Sequence, residues 1–332
     1  DKDRIIARLP GPPYQFLDRI ISIEDCEQWV LKPGGRIIAE YDVPADAWYF
    51  QENRQGSMPF SVLLEVALQP CGWLAAYLGS ALTSEVDLSF RNLGGKAEQL
   101  LLVTPDTGTL TTHVTITQVS TSGGMIIQNY DYEVRCRKGI VYKGDTYFGF
   151  FSKQSLANQV GIREAALHQP TDEEMNRANN FNYLDSESYP AEQMRMVDTI
   201  THYDPEGGPA GLGFIKGTAK VRPDAWFFKA HFYQDPVWPG SLGLESFIQL
   251  LKVIILERWG NHLLEFESMA LNQPHEWLYR GQIIPGDDTV TIEAMIKHID
   301  NERKMVTADG FLSVDGRTIY QMTDFTLRIS TL

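Results

Sequence analysis

Cysteine is scarce: Cys26, Cys71 and Cys136 are the only three in 332 residues, odd in number and far apart. That spacing argues against a disulfide framework or a metal knuckle and favours a reducing compartment, the cytoplasm. Positive charge is also short, with 29 Lys and Arg against 43 Asp and Glu and a net charge of −14. Nucleic acid needs a basic surface for its phosphates, so it is not expected as a ligand. Long apolar runs are missing as well, and none reaches the roughly 18 to 20 residues that span a bilayer. The longest candidate, 239–256, carries Glu245 and Lys252 and reads as a buried helix. The opening DKDRIIARLP is charged where a signal peptide would be apolar, and it lacks Met, as a piece of a longer protein would. His113, His168, His202, His262, His275 and His298 form no pair at metal-ligand spacing, so no metal is expected. No G-x-S-x-G, Walker-type or G-x-G-x-x-G segment stands at a strand-to-helix junction, which leaves acyl-serine, P-loop and dinucleotide chemistry unsupported.

What is present is core-forming material, 43% hydrophobic and 11% aromatic, in a chain long enough for two domains or one duplicated unit. The chain repeats itself at an offset of about 180. Phe16-Leu17-Asp18-Arg19-Ile20 parallels Met196-Val197-Asp198-Thr199-Ile200, and Pro44 to Phe50 parallels Arg222 to Phe228. MPFSVLLEVALQP at 58–70 parallels WPGSLGLESFIQL at 238–250, with five of thirteen positions identical, among them Glu65/Glu245 and Gln69/Gln249. Leu88-Ser89-Phe90-Arg91 is matched with Trp277-Leu278-Tyr279-Arg280. Strands then follow at 109–118, 125–137 and 140–150, and again at 288–298, 303–314 and 317–330, separated by turn residues. Each half thus reads as a strand, a loop, one apolar helix and a run of antiparallel strands. A sheet wrapped round one helix explains why 60–69 and 242–256 are apolar on nearly every side. The units are placed at 1–151 and 192–332, with the polar 152–191 as a crossing connector.

The segment from Ala230 to Gln249 carries the chemistry. Pro239 suits the first position of the central helix, where a missing N–H costs nothing. Gly240 and Ser241 then offer free N–H groups at the positive end of the helix dipole, suited to a thioester oxygen gaining charge. Glu245 is a carboxylate in an otherwise apolar helix and needs a reason to be there. The segment reads H-F-Y-Q-D-P-V-W-P-G-S-L-G-L-E-S-F-I-Q. It closely resembles the active-site segment of the bacterial 3-hydroxyacyl-ACP dehydratases, in which His, two Pro, Gly, an acid and Gln recur at this spacing. The tandem layout is similar to the dehydratase region of bacterial polyunsaturated fatty acid synthases.

The resemblance implies an α+β tandem, or double, hotdog fold. It implies that His231 of the second unit acts as base with Glu65 of the first as acid; Glu245 is the rival acid if base and acid of one unit meet. Gly240, with Ser241, would hold the thioester oxygen, and the Val237 carbonyl would fix the His231 tautomer. No cofactor is implied, because the phosphopantetheine arm arrives with the substrate. The implied partners are an acyl carrier protein and other domains of a fatty acid synthase. Pairing of two tandem units into a homodimer stays open, as do chain-length preference and double-bond isomerisation. In the first half Asn53 stands where His231 stands in the second, the loop to the helix is two residues shorter, and Phe60 and Leu63 replace Gly240 and Gly243. One composite site is therefore expected to survive. Arg135, Arg137, Lys138 and Lys143 form a candidate carrier patch, with ordinary solvated hairpin charge as the plainer reading. A hotdog acyl thioesterase and a non-catalytic carrier-docking module remain as alternatives.

Overall fold

The computed structural model describes residues 4, 6–183, 188–260 and 264–330; His262 lies outside them. The first half forms β1 (Arg19–Glu24), β2 (Arg36–Asp42), α1 (Trp48–Asn53), α2 (Phe60–Tyr77), β3 (Ser89–Gln99), β4 (Thr109–Ser122), β5 (Met125–Cys136) and β6 (Gly139–Phe151). The connector adds α3 (Lys153–Ala157), α4 (Asp172–Arg177) and β7 (Asn179–Asn182). The second half repeats the first as β8 (Thr199–Asp204), β9 (Phe214–Lys220), α5 (Trp226–Ala230), α6 (Gly240–Trp259), β10 (Pro274–Tyr279), β11 (Thr289–Asp300), β12 (Met305–Val314) and β13 (Arg317–Arg328). Burial alternates along strands such as β4 from Leu110 to Ile116, the period-two signature of a sheet with one face on a core.

All strands join one antiparallel sheet in the order β1-β2-β4-β5-β6-β3-β10-β13-β12-β11-β9-β8-β7. Each half-sheet curls round its own helix. Every residue from Phe60 to Gly72 in α2 and from Ser241 to Ile255 in α6 is buried, and the two helices pack on each other. This is the double hotdog. The segment Phe60–Leu82 proves long and apolar enough to cross a membrane by length and composition, contrary to the sequence reading; 83% of that window is buried inside the sheet. Glu65 is its single carboxylate. Pro70 lies within α2 and cannot donate to the carbonyl four residues back. Thr112 Oγ1 on β4 donates to that Val66 carbonyl at 3.3 Å, so the gap is closed from the sheet.

The halves meet where β3 and β10 pair antiparallel, with Lys96 opposite Glu276 at the middle of the ladder. That register corrects one piece of the repeat. Gln99 faces Tyr142 on β6, and Tyr279 faces Tyr320 on β13, so the counterpart of Tyr279 is Gln99 and not Phe90. Met58 N–H donates to Val103 O at 2.7 Å and Trp238 N–H to Ile283 O at 2.9 Å, fixing the same offset on both sides of the join. The shared Leu/Trp-x-aromatic-Arg pattern misled because one apolar alternation and one arginine recur easily within strands.

The connector lies against the second half. Ile162 N–H bonds Thr318 O, β7 extends the sheet beside β8, and Ala165 and Leu167 cover Phe214, Met295 and Phe311. The basic hairpin stands in solvent: Arg135 pairs with Glu133, and Lys143 lies 3.8 Å from Glu98. These pairs favour ordinary solvated charge over a free cationic patch.

Candidate active site

Helix α5 ends at His231, whose N–H bonds Phe227 O at 2.8 Å and whose side chain is 8% exposed. The chain then folds back tightly, with Phe232 and Asp235 exchanging backbone hydrogen bonds at 3.1 Å and Val237 N–H reaching His231 O at 2.9 Å. His231 Nδ1 lies 3.2 Å from the Val237 carbonyl. A carbonyl only accepts, so Nδ1 carries the proton and Nε2 keeps its lone pair. Burial pushes the imidazole down to about 3 against the Val237 bond, and the Arg91 charge adds to the effect. His231 is therefore neutral at pH 7.

Arg91, on β3 of the other half, anchors this loop. Its guanidinium grips the Asp235 carboxylate with two bonds of 2.8 Å and reaches Gln282 Oε1 at 2.9 Å. Burial works against the Asp235 charge, and Arg91 outweighs it, holding the acid below its usual range. Sequence reasoning gave Arg91 no role; only its place in the mismatched strand pair drew notice.

Pro239 caps α6, and the first intrahelical bond runs from Gly243 N–H to Pro239 O, so the helix opens with N–H donors at Gly240 and Ser241 that have no partner among the described residues. Only glycine fits at 240: an added Cβ would lie 2.8 Å from Tyr279 Cζ. Glu65, buried in α2, accepts from Ser241 Oγ at 2.6 Å and from Gln69 Nε2 at 3.0 Å. Ser241 Oγ also lies 3.0 Å from Tyr14 Oη, so a chain of hydroxyls leads from Tyr14 to Glu65. Burial raises the Glu65 carboxyl, opposed by the Ser241 and Gln69 bonds. His231, Val237, Gly240, Ser241 and Glu65 all line one cavity of about 80 Å³, with Leu68, Phe90, Phe148 and Tyr279 among its apolar walls. The cavity thus takes its helix start from one half and its carboxyl from the other.

Residues 9–145 and 189–323 each match the FabA-like domain. The chain belongs to the FabA-like domain family. Across 98% of its length it is 29% identical to a polyunsaturated fatty acid synthase polypeptide of Thraustochytrium sp. (strain ATCC 26185 / S-3), and it spans 24% of that protein. Two solved structures share the fold. The dehydratase domain from the CurJ module of a curacin polyketide synthase is 12% identical, with a TM-score of 0.50 over 95% of this chain and 96% of that one. A structure named as an oleoyl thioesterase (putative) from Lactobacillus plantarum is 13% identical, with a TM-score of 0.51 over 90% of this chain and 97% of that one.

The two FabA-like units share a frame and differ in function-bearing positions. Gln69 accepts from Phe16 N–H at 2.7 Å and donates to Tyr14 O at 2.9 Å; Gln249 makes the same clamp on Met196 and Met194 at 2.9 and 2.7 Å. That glutamine is structural in both units. The rival acid Glu245 does not line the His231 cavity; it accepts from Ser61 N–H at 2.9 Å, occupying the mirror helix start with its own carboxylate. Phe60 fills the place of Gly240 and packs edge-on against His275 at 5.3 Å. Asn53, in the place of His231, accepts from Lys252 Nζ at 3.3 Å. Lys252 itself falls where the first unit has Gly72, beside Leu9 and Phe90. Burial pushes its ammonium down against the pull of Glu245 and Glu265, and burial raises Glu245.

Proposed function

We propose that the chain removes water from 3-hydroxyacyl thioesters carried on the phosphopantetheine of an acyl carrier protein, giving trans-2-enoyl thioesters during polyunsaturated fatty acid assembly. One observation carries the reading: a neutral His231 with Nε2 free shares a cavity with a buried Glu65 from the opposite unit and with the donors that open α6. The site needs no metal or organic cofactor in this reading. The two units, 1–151 and 192–332, joined by 152–191, serve a single site. Its partners would be the carrier and other domains of a synthase, working in the cytoplasm.

His231 Nε2 takes the α-proton, and the electron pair moves onto the thioester carbonyl oxygen. Gly240 N–H, with Ser241, stabilises that charge where the helix dipole is positive. Glu65, whose carboxyl burial raises, gives its proton to the 3-hydroxyl as the C–O bond breaks and water departs. The imidazolium then loses its proton and the carboxylate regains one, so the cycle closes.

A hotdog thioesterase would use the same fold and the same thioester cradle. The neutral, carbonyl-anchored His231 is a base for water as well as for a carbon-bound proton, so the products of turnover separate the two readings. The full chain is incubated with 3-hydroxyacyl and with saturated acyl carrier protein, and products are followed by mass spectrometry and a thiol reagent. Enoyl product is expected, and His231→Ala should lower it by about 10² or more. Free thiol without enoyl product would sink the dehydratase reading. Undiminished dehydration by His231→Ala would move the base elsewhere.

A further inference from the structure

Tyr279 closes β10, and its ring stands edge-on to Tyr320 at 4.6 Å, which fixes its orientation. The side chain is 6% exposed, lines the His231 cavity, and its hydroxyl has no hydrogen-bond partner among the described residues. A buried hydroxyl without a partner is costly unless a ligand supplies one. Its position says which part of a ligand that would be. A Cβ on Gly240 would lie 3.0 Å from Tyr279 Oη, so the hydroxyl sits against the residue that opens α6. Glu65 already has its own donors, Ser241 and Gln69.

The mirror unit supplies the contrast. At the register of Tyr279 it has Gln99, whose amide bonds Leu101 O and Ser268 Oγ at 3.0 Å each. The unpaired donor therefore occurs beside the helix start that keeps glycine, and a satisfied side chain beside the one that Phe60 fills. Burial raises the phenol well above its usual range, so it acts as a donor throughout the neutral range.

We propose that the Tyr279 hydroxyl donates a hydrogen bond to the substrate thioester oxygen, as a second oxyanion donor beside Gly240 N–H. The inference rests on the thioester site proposed above but not on which reaction follows. Tyr279 is thereby a catalytic residue, since it touches the atom on which charge develops.

The test uses the full chain with a trans-2-butenoyl pantetheine thioester labelled with ¹³C at the carbonyl, read by difference infrared spectroscopy. Wild type should shift the bound carbonyl stretch to lower frequency. Tyr279→Phe, which keeps the ring, should shrink that shift and lower kcat for the 3-hydroxybutyryl thioester by about 10- to 100-fold, with KM changed little. Placing 3,5-difluorotyrosine at 279 makes a stronger donor and should deepen the shift, which guards against a folding defect in the phenylalanine variant. His231→Ala should stop turnover and keep the shift. An unshifted carbonyl in wild type, or an equal shift in wild type and Tyr279→Phe, overturns the proposal. Thiol release with a shift that still depends on Tyr279 would keep this donor and remove dehydration.

Discussion

Replacing Arg91 with Met should damage the active site from the other half of the molecule. The guanidinium makes two bonds of 2.8 Å to Asp235, four residues beyond His231, and its side chain is 10% exposed against 24% for Asp235. Breaking a buried pair from one side costs about 3–5 kcal/mol, because the partner charge stays desolvated. The partial exposure of Asp235 lets water recover some of that, so the expected loss is about 2–4 kcal/mol. In a chain of 332 residues each kcal/mol moves Tm by about 1.5 °C, so Tm should fall by about 3–6 °C. Turnover should fall by about 10², since a loop carrying the base at an error of about 1 Å loses that much. Asp235→Ala alone should cost less, and the double variant should recover part of the loss, giving a coupling of about 2 kcal/mol. Differential scanning fluorimetry and steady-state dehydration on the four proteins complete the cycle. Costs that add within about 0.5 kcal/mol, or an Arg91→Met protein with undiminished kcat, would refute the anchoring role.

Glu65→Gln should abolish most dehydration and change how stability depends on pH. The raised native carboxyl keeps its proton where the unfolded chain has lost it, so wild type loses stability as pH rises above the usual glutamate value of about 4.5. The glutamine variant lacks that loss, and its Tm relative to wild type should climb as pH rises above about 4.5; a constant difference would mean that the Glu65 carboxyl is not raised in the fold. Gly240→Ala should cost about 1–3 kcal/mol, because its methyl would lie 2.8 Å from Tyr279 Cζ, and chemical denaturation measures it directly. In the mirror unit, Lys252→Met with Glu245→Gln removes two buried charges together. That double variant should be at least as stable as wild type by thermal melt and should keep its full dehydration rate. A large drop in rate would return Glu245 to the catalytic site.

Much of this architecture could be read from the chain because duplication states each element twice. Asp18 and Asp198, Gln69 and Gln249, and the prolines at 59 and 239 recur with fixed spacing since each holds the same backbone joint in its own unit. The His231 segment was legible as a cluster for a different reason: the histidine, the carbonyl that anchors its ring and the glycine that opens α6 lie close together in sequence. Arg91 escaped because it acts across the β3–β10 seam, and Tyr279 because only strand register brings it against Gly240 within its own unit. The place of Tyr14 in the Glu65 chain was hidden similarly, through a contact that spans 227 positions. The packing of 152–191 on the second unit depends on a few apolar residues in a polar stretch, too sparse to show a period.

The occupied mirror pocket has a consequence for how such a duplicate ages. A working second site would need a histidine at Asn53, glycine at Phe60, a small residue at Lys252 and a longer loop before α2, and each change alone creates a hole or strands a charge. Reversal by single steps therefore runs uphill from the first one. Yet the unit cannot be discarded, because Glu65, Arg91 and half the cavity wall belong to it. On the proposed reading, drift would be free to erase one pocket while Glu65 holds the same helix fast, leaving a silent copy that is retained.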